Sequence, residues 1–587
     1  MMRRLALATI LLLTSLPGAP TWVERSNEHA RILLDISARY EPESASRTGI
    51  EGVDEKISDI STTARLKRHE ETKAAAAELR RRLAAEQDPT VRQDLTILIK
   101  AAEDELHQQE VGEKYLLPAP NVAQLVFGGL RTLLDDQVAE KRRPAALVRL
   151  RRYAGEEKGY TPIAQVAEQR VRERLSNEAL LGPFRAQVEQ SLANAPSFLD
   201  GIASLFDKYK IEGYREPLAK LRAQVTAHSD FVRKEILPRA RADFRLPPEL
   251  YAIALKDYGV DIAPAELAAR AHRGFDAMQR EAQELAAQVA REKGWDLTGY
   301  RAVVRRLKQD QITGEAIVPH YRQRLGQIEE IVRRENLVTL PGRPARIRLA
   351  SPAESVANPA PHMRPPRLLG NTGEAGEFVL PLNNPNAAGK SDAYDDFTFA
   401  AASWTIAAHE LRPGHEMQFA SMVEKGVSTA RAIFAFNSTN AEGWGLYTEA
   451  IMQPHMPPEG RLVSILYRML RAARAFLDPE LQMGKITPEQ ARRVLTEDVV
   501  CSEAMARQEV ERYTFRAPGQ ATSYFYGYLR LMELRAEVEK ALGPRFHARK
   551  FHDFVLAQGL LPPDLMRKAA LDEFVTPAGA RATRLPF

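Results

Sequence analysis

Two histidines and a glutamate in the stretch HELRPGHEMQ, residues 409–418, have the side chains of a zinc site but not the usual spacing. In the common H-E-x-x-H arrangement, two histidines four residues apart share one face of a helix, and the glutamate is a general base. Here His409 and His415 are six residues apart. On a straight helix, six residues correspond to a rotation of roughly 240°, so the two imidazoles would point to different sides. A metal site at this point requires an interrupted helix.

The residues between the histidines supply such an interruption. Pro413 cannot donate a backbone hydrogen bond and disfavours helical geometry at the preceding residue, and Gly414 can adopt a positive φ. We expect a kink or bulge here that absorbs the two extra residues and brings His415 back toward His409. The helix that ends in AASWTIAAHE would carry His409 and Glu410 in its last turn.

A third ligand is expected because a catalytic zinc takes three protein ligands and leaves one position for water. Residues 440–450 read NAEGWGLYTEA, and Glu442 and Glu449 are seven apart, nearly in line on one helical face. Glu442 is the predicted third ligand, and Glu449 is a candidate to orient a histidine. Gly443 and Gly445 would allow another backbone, or a substrate, to approach this helix closely.

The remaining catalytic groups are a base and an oxyanion donor. Glu410 would take the proton from a water at the metal. The stretch PGQATSYFYGY, residues 518–528, offers Tyr524 and Tyr528 one helical turn apart. Tyr524 is the first candidate for the donor and Tyr528 the second, and core packing is the alternative role for both.

Several features have simpler interpretations. The spacing of His409 and His415 also fits a chance pair. The arginine-rich runs LVRLRRY and AELRRRLAAE are typical of solvated helix faces, and GEFVLPLN of a plain edge strand. The histidines without a partner pattern are expected to be surface or capping residues: His320, His362, His455 and His552.

The N-terminus, MMRRLALATILLLTSLPGAPTW, has the layout of a secretory signal peptide. Arg3 and Arg4 form a positive segment, residues 5–16 are mostly apolar, and Pro17 and Gly18 end the run. We expect residues 1–22 to be a signal peptide and the protein to be secreted or periplasmic. No other segment reaches eighteen apolar residues, so no integral membrane span is expected after signal removal.

Composition is that of an ordinary soluble globular protein. The chain has 587 residues, of which 44% are apolar and 27% are charged. The net charge of +5 gives no reason to expect a nucleic-acid partner. Cys501 is the only cysteine, which excludes an intramolecular disulfide and a cysteine-based metal cluster. We expect it to be a small residue in a helix core.

Most of the chain has helical patterns. Residues 62–110 are rich in strong helix formers and predict an antiparallel helix pair, and Pro264 suits the first turn of another helix. Residues 337–400 differ, with short strand-like segments, and Pro381 predicts that GEFVLPLN is an edge strand. The helix that contains His409 is expected to begin near Asp395.

The predicted fold is mainly α, a large helical metallopeptidase-like fold with a small β-sheet next to the metal-site helix. We divide the mature chain into an N-terminal helical region, residues 23–240, that forms one wall of a cleft, and a metal-binding catalytic region, residues 241–587.

Four motifs occur in a fixed order: HELRPGHEMQ, AEGWGLYTEA, PGQATSYFYG and FHDFVLAQGLLP. Together they resemble the bacterial family known as domain of unknown function 885. The segment DFRLPPELYAIALKDYGVDIAP is similar to the middle of that family, and the likeness covers roughly residues 25–580. Gly445 stands where alanine is more frequent in the family, which leaves the predicted ligands untouched.

The resemblance implies a mostly helical fold related to the glutamate-zincin metallopeptidases, a group that includes angiotensin-converting enzyme. It implies one zinc ion bound by His409, His415 and Glu442, with Glu410 as base. Gln418, the last residue of the first motif, is a further candidate to support a ligand or contact substrate.

The expected function is zinc-dependent hydrolysis of peptide bonds in peptides or unfolded chains. Two alternatives stay open: a non-catalytic helical protein that binds a metal or peptides, and a metal-dependent hydrolase of non-peptide amides or esters. The sequence does not distinguish exopeptidase from endopeptidase action, and it leaves the oligomeric state open.

Overall fold

The computed structural model describes residues 21–385 and 391–576. The described residues are 69% helical and contain a small three-stranded sheet and a two-stranded sheet, which confirms the predicted mainly α fold. Residues 1–20 of the predicted signal peptide lie outside the described residues. Within the two described ranges, no helix combines the length and the apolar character that crossing a membrane requires.

Nine α-helices lie between residues 21 and 240. They are α1 (Trp22–Tyr40), α2 (Pro42–Thr48), α3 (Thr62–Ala85), α4 (Pro89–Tyr115), α5 (Val122–Arg131), α6 (Ala145–Tyr153), α7 (Ile163–Leu175), α8 (Arg185–Lys208) and α9 (Arg215–Phe231).

The middle of the chain contains five helices and all the described strands. These are α10 (Pro248–Asp257), α11 (Pro264–Glu292), α12 (Tyr300–Leu307), α13 (Ile317–Arg334), β1 (Arg346–Leu349), α14 (Pro352–Ala357), β2 (His362–Arg364), β3 (Glu377–Leu380), β4 (Asn383–Pro385) and β5 (Ser391–Ala393).

The last third is helical. Its helices are α15 (Ala402–Glu410), α16 (His415–Lys425), α17 (Ser438–Met452), α18 (Pro458–Gln482), α19 (Pro488–Arg493), α20 (Glu503–Glu511), α21 (Thr522–Leu542), α22 (Ala548–Ala557) and α23 (Pro563–Ala569). Short π-helical turns occupy Val232–Ile236, Ala430–Phe434, Val494–Asp498, Arg512–Arg516 and Ala570–Val575, and 3₁₀ turns occupy Glu140–Arg142, Leu237–Arg239, Gly314–Ala316, Gln453–His455 and Gly543–Arg545.

Local signals explain several helix boundaries. The side chain of Ser61 caps α3, and that of Asp88 caps α4, so a connection of three residues joins the predicted helix pair. Pro264 is the first residue of α11, as predicted. The helix that contains His409 begins at Ala402, not near Asp395, because the intervening residues form turns.

The sheet has the order β1-β3-β2, with β1 parallel and β2 antiparallel to β3. The prediction that GEFVLPLN is an edge strand is therefore wrong. The segment forms β3, which is the central strand, and all four residues of β3 are buried. β3 ends at Leu380, so Pro381 lies just beyond the ladder and costs no hydrogen bond. Met363 of β2 packs against Phe419 and Met422 of α16, which places the sheet beside the helix of His415.

Three larger apolar clusters make up most of the core. One lies among α1, α3 and α4, another among α5 to α9 with α14, and the largest extends from α10 to the C-terminal helices and includes the sheet. The predicted boundary at residue 240 falls between helices that belong mainly to different clusters. Cys501 is only partly buried and lies in the connection before α20, so its predicted place inside a helix is wrong.

Buried charge joins the N-terminal helices to the rest of the chain. The carboxylate of Asp94 on α4 accepts hydrogen bonds from Ser26 (2.6 Å), Ser428 (2.6 Å) and Nε of Arg431 (2.8 Å). Both Asp94 and Arg431 are almost fully buried. Because either charge alone would be costly in this position, the pair fixes how α1 and α4 meet the segment after α16.

One arginine of the run LVRLRRY is not part of a solvated face. Arg149 is fully buried and donates hydrogen bonds to the carbonyl oxygens of Gly129 (2.7 Å) and Lys56 (3.0 Å). A third bond goes to the carbonyl oxygen of Val53 (3.3 Å). The prediction for this run was wrong at Arg149 because helix periodicity alone does not show that three backbone carbonyls converge there.

Two glycines allow α17 and α21 to cross in close contact. A β-carbon on Gly527 would lie 2.0 Å from the carbonyl oxygen of Thr439 and 2.8 Å from the α-carbon of Gly443. A β-carbon on Gly443 would in turn lie 2.6 Å from the carbonyl carbon of Gly527. The crossing therefore depends on the absence of side chains at both positions, and it brings the start of α21 next to Glu442.

We predict that Gly527→Ala destabilises the protein by about 1–3 kcal/mol, because the added methyl overpacks a backbone contact. Urea unfolding monitored by circular dichroism measures this change. Gly112→Ala on α4 is the matched control, since nothing lies within 4 Å of the position of its β-carbon. The control is expected to cause no loss of stability. Equal stability of Gly527→Ala and wild-type protein would contradict the close crossing.

Candidate metal centre

The stretch between the two histidines ends one helix and begins another. α15 ends at Glu410, and His415 is the first residue of α16. The expected kink within a single helix is therefore a complete break. With the helix axis redirected, the ring centres of His409 and His415 lie 4.7 Å apart and their planes are perpendicular. The six-residue spacing is compatible with convergent imidazoles because the two side chains belong to different helices.

Gly414 is required for a different reason from the one predicted. Its φ is −77°, so it does not use the positive φ that only glycine readily adopts. Instead, a β-carbon at this position would lie 1.9 Å from the carbonyl oxygen of His409 and 2.4 Å from that of Ala408. The turn closes over the end of α15 only because this residue has no side chain.

Buried groups hold the turn from two sides. Trp444 of α17 donates from Nε1 to the carbonyl oxygen of Pro413 (3.0 Å). Arg412 donates to the carboxylates of Glu416 (2.8 Å) and Glu329 (2.6 Å). The Arg412–Pro413 peptide bond is cis. Since Trp444 follows Glu442 by two residues, the same helix that supplies the third candidate ligand also fixes the turn between the histidines.

Three ligand atoms meet at one point. A carboxylate oxygen of Glu442 lies 3.2 Å from Nε2 of His415 and 3.4 Å from Nε2 of His409. All three ligand atoms lie within 4.8 Å of one another. Neighbouring ligands of a tetrahedral zinc are ~3.3 Å apart when each is about 2.0–2.1 Å from the ion. The donor set and its spacing therefore fit a zinc ion.

Glu449 holds His409 from the opposite side of the ring. Nδ1 of His409 donates to one oxygen of Glu449 (2.7 Å), and the Thr405 hydroxyl donates to the other (2.8 Å). Nη2 of Arg471 lies 3.3 Å from the same carboxylate. With Nδ1 engaged by Glu449, Nε2 faces Glu442 and is the nitrogen that a metal ion would bind in place of a proton. Glu449 is thus placed to orient His409, the role for which the sequence made it a candidate.

The charges of the site are strongly coupled. Burial lowers the pKa of His409, but hydrogen bonds to Glu442 and Glu449 outweigh it and raise this pKa to about 9. Burial raises the pKa of Glu442, whereas hydrogen bonds from His409 and His415 bring it well below its ordinary value. The two carboxylates thus stabilise a positive charge between them. The same negative potential would stabilise a bound divalent cation.

Glu410 is buried beside the ligands and differs from them in its contacts. Among the described residues, its Oε2 atom has no hydrogen-bond partner. Burial raises the pKa of Glu410, while the neighbouring His409 and His415 oppose the increase. A buried carboxylate with a free oxygen and a raised pKa has the properties of a general base.

Tyr524 reaches the ligands, whereas Tyr528 does not. The ring of Tyr524 stacks on that of His409, with centres 6.2 Å apart and planes inclined by 18°. Burial raises the pKa of the Tyr524 phenol, and the charge of Glu442 adds to the increase. Tyr528 packs against Phe525 with ring centres 6.2 Å apart, and it lies partly buried against the apolar core.

The Pro-Gly-Gln turn before α21 fixes the position of Tyr524. The N–H of Gly519, a residue with φ of +88°, donates to both oxygens of Asp478 (3.0 and 2.9 Å). Gln520 donates to the hydroxyl of Ser438 at the start of α17 (3.1 Å). These bonds tie the beginning of α21 to α17 and α18. Burial raises the pKa of Asp478 to about 8.

Gln418 connects helices through hydrogen bonds. Its side-chain nitrogen donates to Asn440 (3.0 Å), and Asn440 donates to the carbonyl oxygen of Leu561 (2.6 Å). Gln418 thus links α16 to α17. A β-carbon on Gly445 of α17 would lie 2.7 Å from the imidazole of His409.

His552 of the C-terminal motif is neither a surface nor a capping residue, so that prediction was wrong. It is 1% exposed, its Nδ1 donates to the carbonyl oxygen of Leu337 (2.7 Å), and its Nε2 accepts from the hydroxyl of Tyr447 (2.6 Å). Burial lowers the pKa of His552 to about 4. The neutral imidazole therefore joins α22 to α17 in the core.

Sequence reasoning missed several residues of the site. Arg471 and Arg474 lie on α18, Thr405 on α15, and Asp478 and Trp444 position the two turns. One signal was available: arginines three residues apart in the otherwise apolar RMLRAARAFL suggest buried charge rather than a solvated face. No comparable signal marks Thr405.

The chain matches a bacterial protein family without an assigned function. The sequence profile described as "Bacterial protein of unknown function (DUF885)" matches residues 42–569, so the chain belongs to this family. The resemblance of the four motifs is thereby confirmed. No curated protein is significantly similar to the chain.

Two solved structures have a similar fold. One is a protein from Shewanella oneidensis described as a "putative lipoprotein of unknown function", with a TM-score of 0.69 and 19% identity. The other is a protein from Colwellia psychrerythraea described as a "putative lipoprotein", with a TM-score of 0.75 and 17% identity. Each similarity covers 94% of this chain and 100% of the other.

Proposed function

We propose that the protein is a zinc-dependent metallopeptidase that hydrolyses peptide bonds in peptides or unfolded chains. The observation that carries the proposal is the convergence of His409, His415 and Glu442 beside a buried glutamate, Glu410, that is not a ligand. Glu449 supports it further, because a carboxylate that fixes the tautomer of a histidine is a common feature of zinc sites.

Each residue has a defined task in this chemistry. A bound zinc ion would supply Lewis acidity, which acidifies water and polarises a carbonyl group. Glu410 accepts the proton of the attacking water as the new C–O bond forms, and it returns this proton to the leaving amine as the C–N bond breaks. The hydroxyl of Tyr524 donates a hydrogen bond to the carbonyl oxygen as it gains negative charge.

Glu410 also argues against a purely structural metal site. A structural zinc site is closed by four protein ligands, whereas the described residues bring three ligand atoms together here. A further buried carboxylate with an unpaired oxygen would only destabilise such a site. Retention of zinc with loss of hydrolysis in a Glu410 variant separates the enzyme from a non-catalytic binding protein. A digest of a peptide library with and without chelator separates peptides from other amides and esters.

Removal of one ligand should abolish tight metal binding. We predict about one zinc per wild-type chain and a more than roughly hundredfold weaker affinity in His415→Ala, since the remaining two ligands impose little geometry. Elemental analysis after dialysis measures occupancy. His455→Ala is the control, because His455 is partly exposed and its nearest acidic partner is Glu335, at 3.9 Å. Full occupancy in His415→Ala would refute the proposed ligand set.

Two conservative substitutions should distinguish the role of Glu410 as general base from that of Tyr524 as oxyanion donor. Glu410→Gln is expected to retain zinc and lower kcat by about 10²- to 10⁴-fold. Tyr524→Phe should lower kcat by about 10²- to 10³-fold with KM little changed. Tyr528→Phe is the matched control and should stay within a few-fold of wild type. Steady-state kinetics on a peptide found in the library digest provides the measurement. The reverse pattern for the two tyrosines would assign the donor to Tyr528.

We also propose that the protein is exported by a signal peptide to the periplasm or the medium. The charged and apolar N-terminal segments support this, as does the fold shared with two proteins described as lipoproteins. We predict that N-terminal sequencing of natively produced protein finds a new start near residue 20. A retained Met1 in a cytoplasmic fraction would refute export.

A further inference from the structure

Three arginines lie close to Tyr524. Arg471 and Arg474 belong to α18, and Arg512 begins the π-helical turn after α20. The guanidinium carbon of Arg474 lies 4.5 Å from the centre of the Tyr524 ring, and that of Arg471 lies 6.0 Å from it. Arg512 is close enough to lower the pKa of the same phenol. We call these three residues the arginine cluster.

The carboxylates that face the arginine cluster are already engaged. Glu509 accepts two hydrogen bonds from Arg474 (2.8 and 2.7 Å). Nη1 of Arg512 lies 3.8 Å from Glu509, beyond hydrogen-bond range. Arg471 lies beside Glu449, which already accepts hydrogen bonds from His409 and Thr405.

The arginine cluster therefore has a surplus of positive charge. Burial opposes ionisation of Glu509, but Arg474 and Arg512 lower its pKa to about 2, so it counts as one negative charge. Asp478 is the next carboxyl group near the arginine cluster. It adds little negative charge at neutral pH, because burial raises its pKa to about 8. Three guanidinium groups thus have two carboxylates within ion-pair distance, Glu509 and Glu449, and Glu449 also serves the metal ligand His409.

Two donor atoms of the arginine cluster are buried without a partner among the described residues. They are Nε of Arg471 and Nη1 of Arg512. Buried N–H groups are nearly always hydrogen-bonded, and charged ones are the most costly to leave unpaired. Both atoms are donors in positively charged groups, so the complementary occupant accepts hydrogen bonds and is negatively charged. Arginine is well suited to bind a carboxylate in this way.

The position of the arginine cluster relates such a carboxylate to the cleaved bond. The centre of the Tyr524 ring lies 6.2 Å from that of the His409 ring and 4.5 Å from the guanidinium carbon of Arg474. An extended peptide residue spans ~3.3 Å, so each of these distances corresponds to about two residues or fewer. A carboxylate at the arginine cluster would lie within a few residues of the carbonyl group at the metal ligands. Arg512 is 14% exposed and is the most accessible member of the cluster.

We propose that Arg512, supported by Arg471, binds a carboxylate of the substrate that lies within a few residues of the hydrolysed bond, and that the protein therefore prefers short peptides with this group. The inference rests on the proposed function. A free C-terminus and an acidic side chain share the required chemistry. The C-terminal carboxylate would make the protein a peptidase that acts near chain ends.

Matched substrates test this preference directly. One peptide is prepared with a free C-terminus, with a C-terminal amide, and as the amide with one glutamate near the cleaved bond. The zinc-loaded full-length protein should hydrolyse a carboxylate-bearing form with a kcat/KM about ten- to hundredfold higher than the neutral amide, mainly through KM. Preference for the first or the third peptide identifies the source of the carboxylate. Equal rates for all three would overturn the proposal, whatever the variants do.

Variants then assign the preference to Arg512. Arg512→Gln should reduce it to within about twofold, and Arg512→Lys, which retains the charge, should restore part of it. Arg516→Gln is the matched control on the same π-helical turn, where Arg516 pairs with Glu511 (2.9 Å), and it should retain the full preference. An unchanged preference in Arg512→Gln would overturn the assignment.

A binding measurement distinguishes failure of this inference from failure of the proposed function. Calorimetry with zinc-loaded Glu410→Gln compares the Kd values of the free-acid and amide peptides without turnover. Tighter binding of the acid, with no hydrolysis of any peptide by wild-type protein, would retain the carboxylate site and reject the peptidase. Hydrolysis of peptides with equal binding of acid and amide would retain the peptidase and reject the carboxylate site.

Discussion

The candidate centre depends on a turn of four residues, 411–414, that closes over the end of α15 where no side chain fits. A β-carbon at Gly414 would overlap the carbonyl oxygen of His409. The turn between the two helices therefore accepts only glycine at this position. Trp444 and Arg412 hold the turn in place from both sides. As a consequence, two histidines that a straight helix would separate face each other with ring centres 4.7 Å apart.

The rest of the helical core places charged groups around this turn. α17 supplies Glu442 and Glu449 to opposite nitrogens of the same imidazole, and α18 supplies Arg471 behind Glu449. Such a row of buried charges contributes little net stability, because desolvation offsets most of the attraction. Its value is orientation: each group restricts the next, from Thr405 through Glu449 to the tautomer of His409. The close crossing of α17 and α21 then brings Tyr524 against the same ring.

Sequence patterns predicted what local chemistry determines. Strong helix formers predicted the pair α3 and α4, and the glycines around Trp444 predicted a close approach to α17, which Gly443 makes with Gly527. Prediction from the sequence was limited where contacts between distant segments determine the position or the role of a residue. Nothing local distinguishes a central β3 from an edge strand, and nothing local shows that Gly414 is needed for a contact rather than for positive φ. His552 and Arg149 were assigned to the surface because their partners are more than fifteen residues away.

X-ray absorption at the zinc edge, on full-length protein loaded with one equivalent of zinc, tests the central claim most directly. Zinc held by His409, His415 and Glu442 predicts a first shell of about four light atoms at roughly 2.0–2.1 Å, with outer-shell scattering from two imidazole rings. After dialysis, His415→Ala should retain little zinc and therefore little of this signal. A shell of oxygen atoms without imidazole scattering, or a sulfur atom at about 2.3 Å from Cys501, would contradict the assignment.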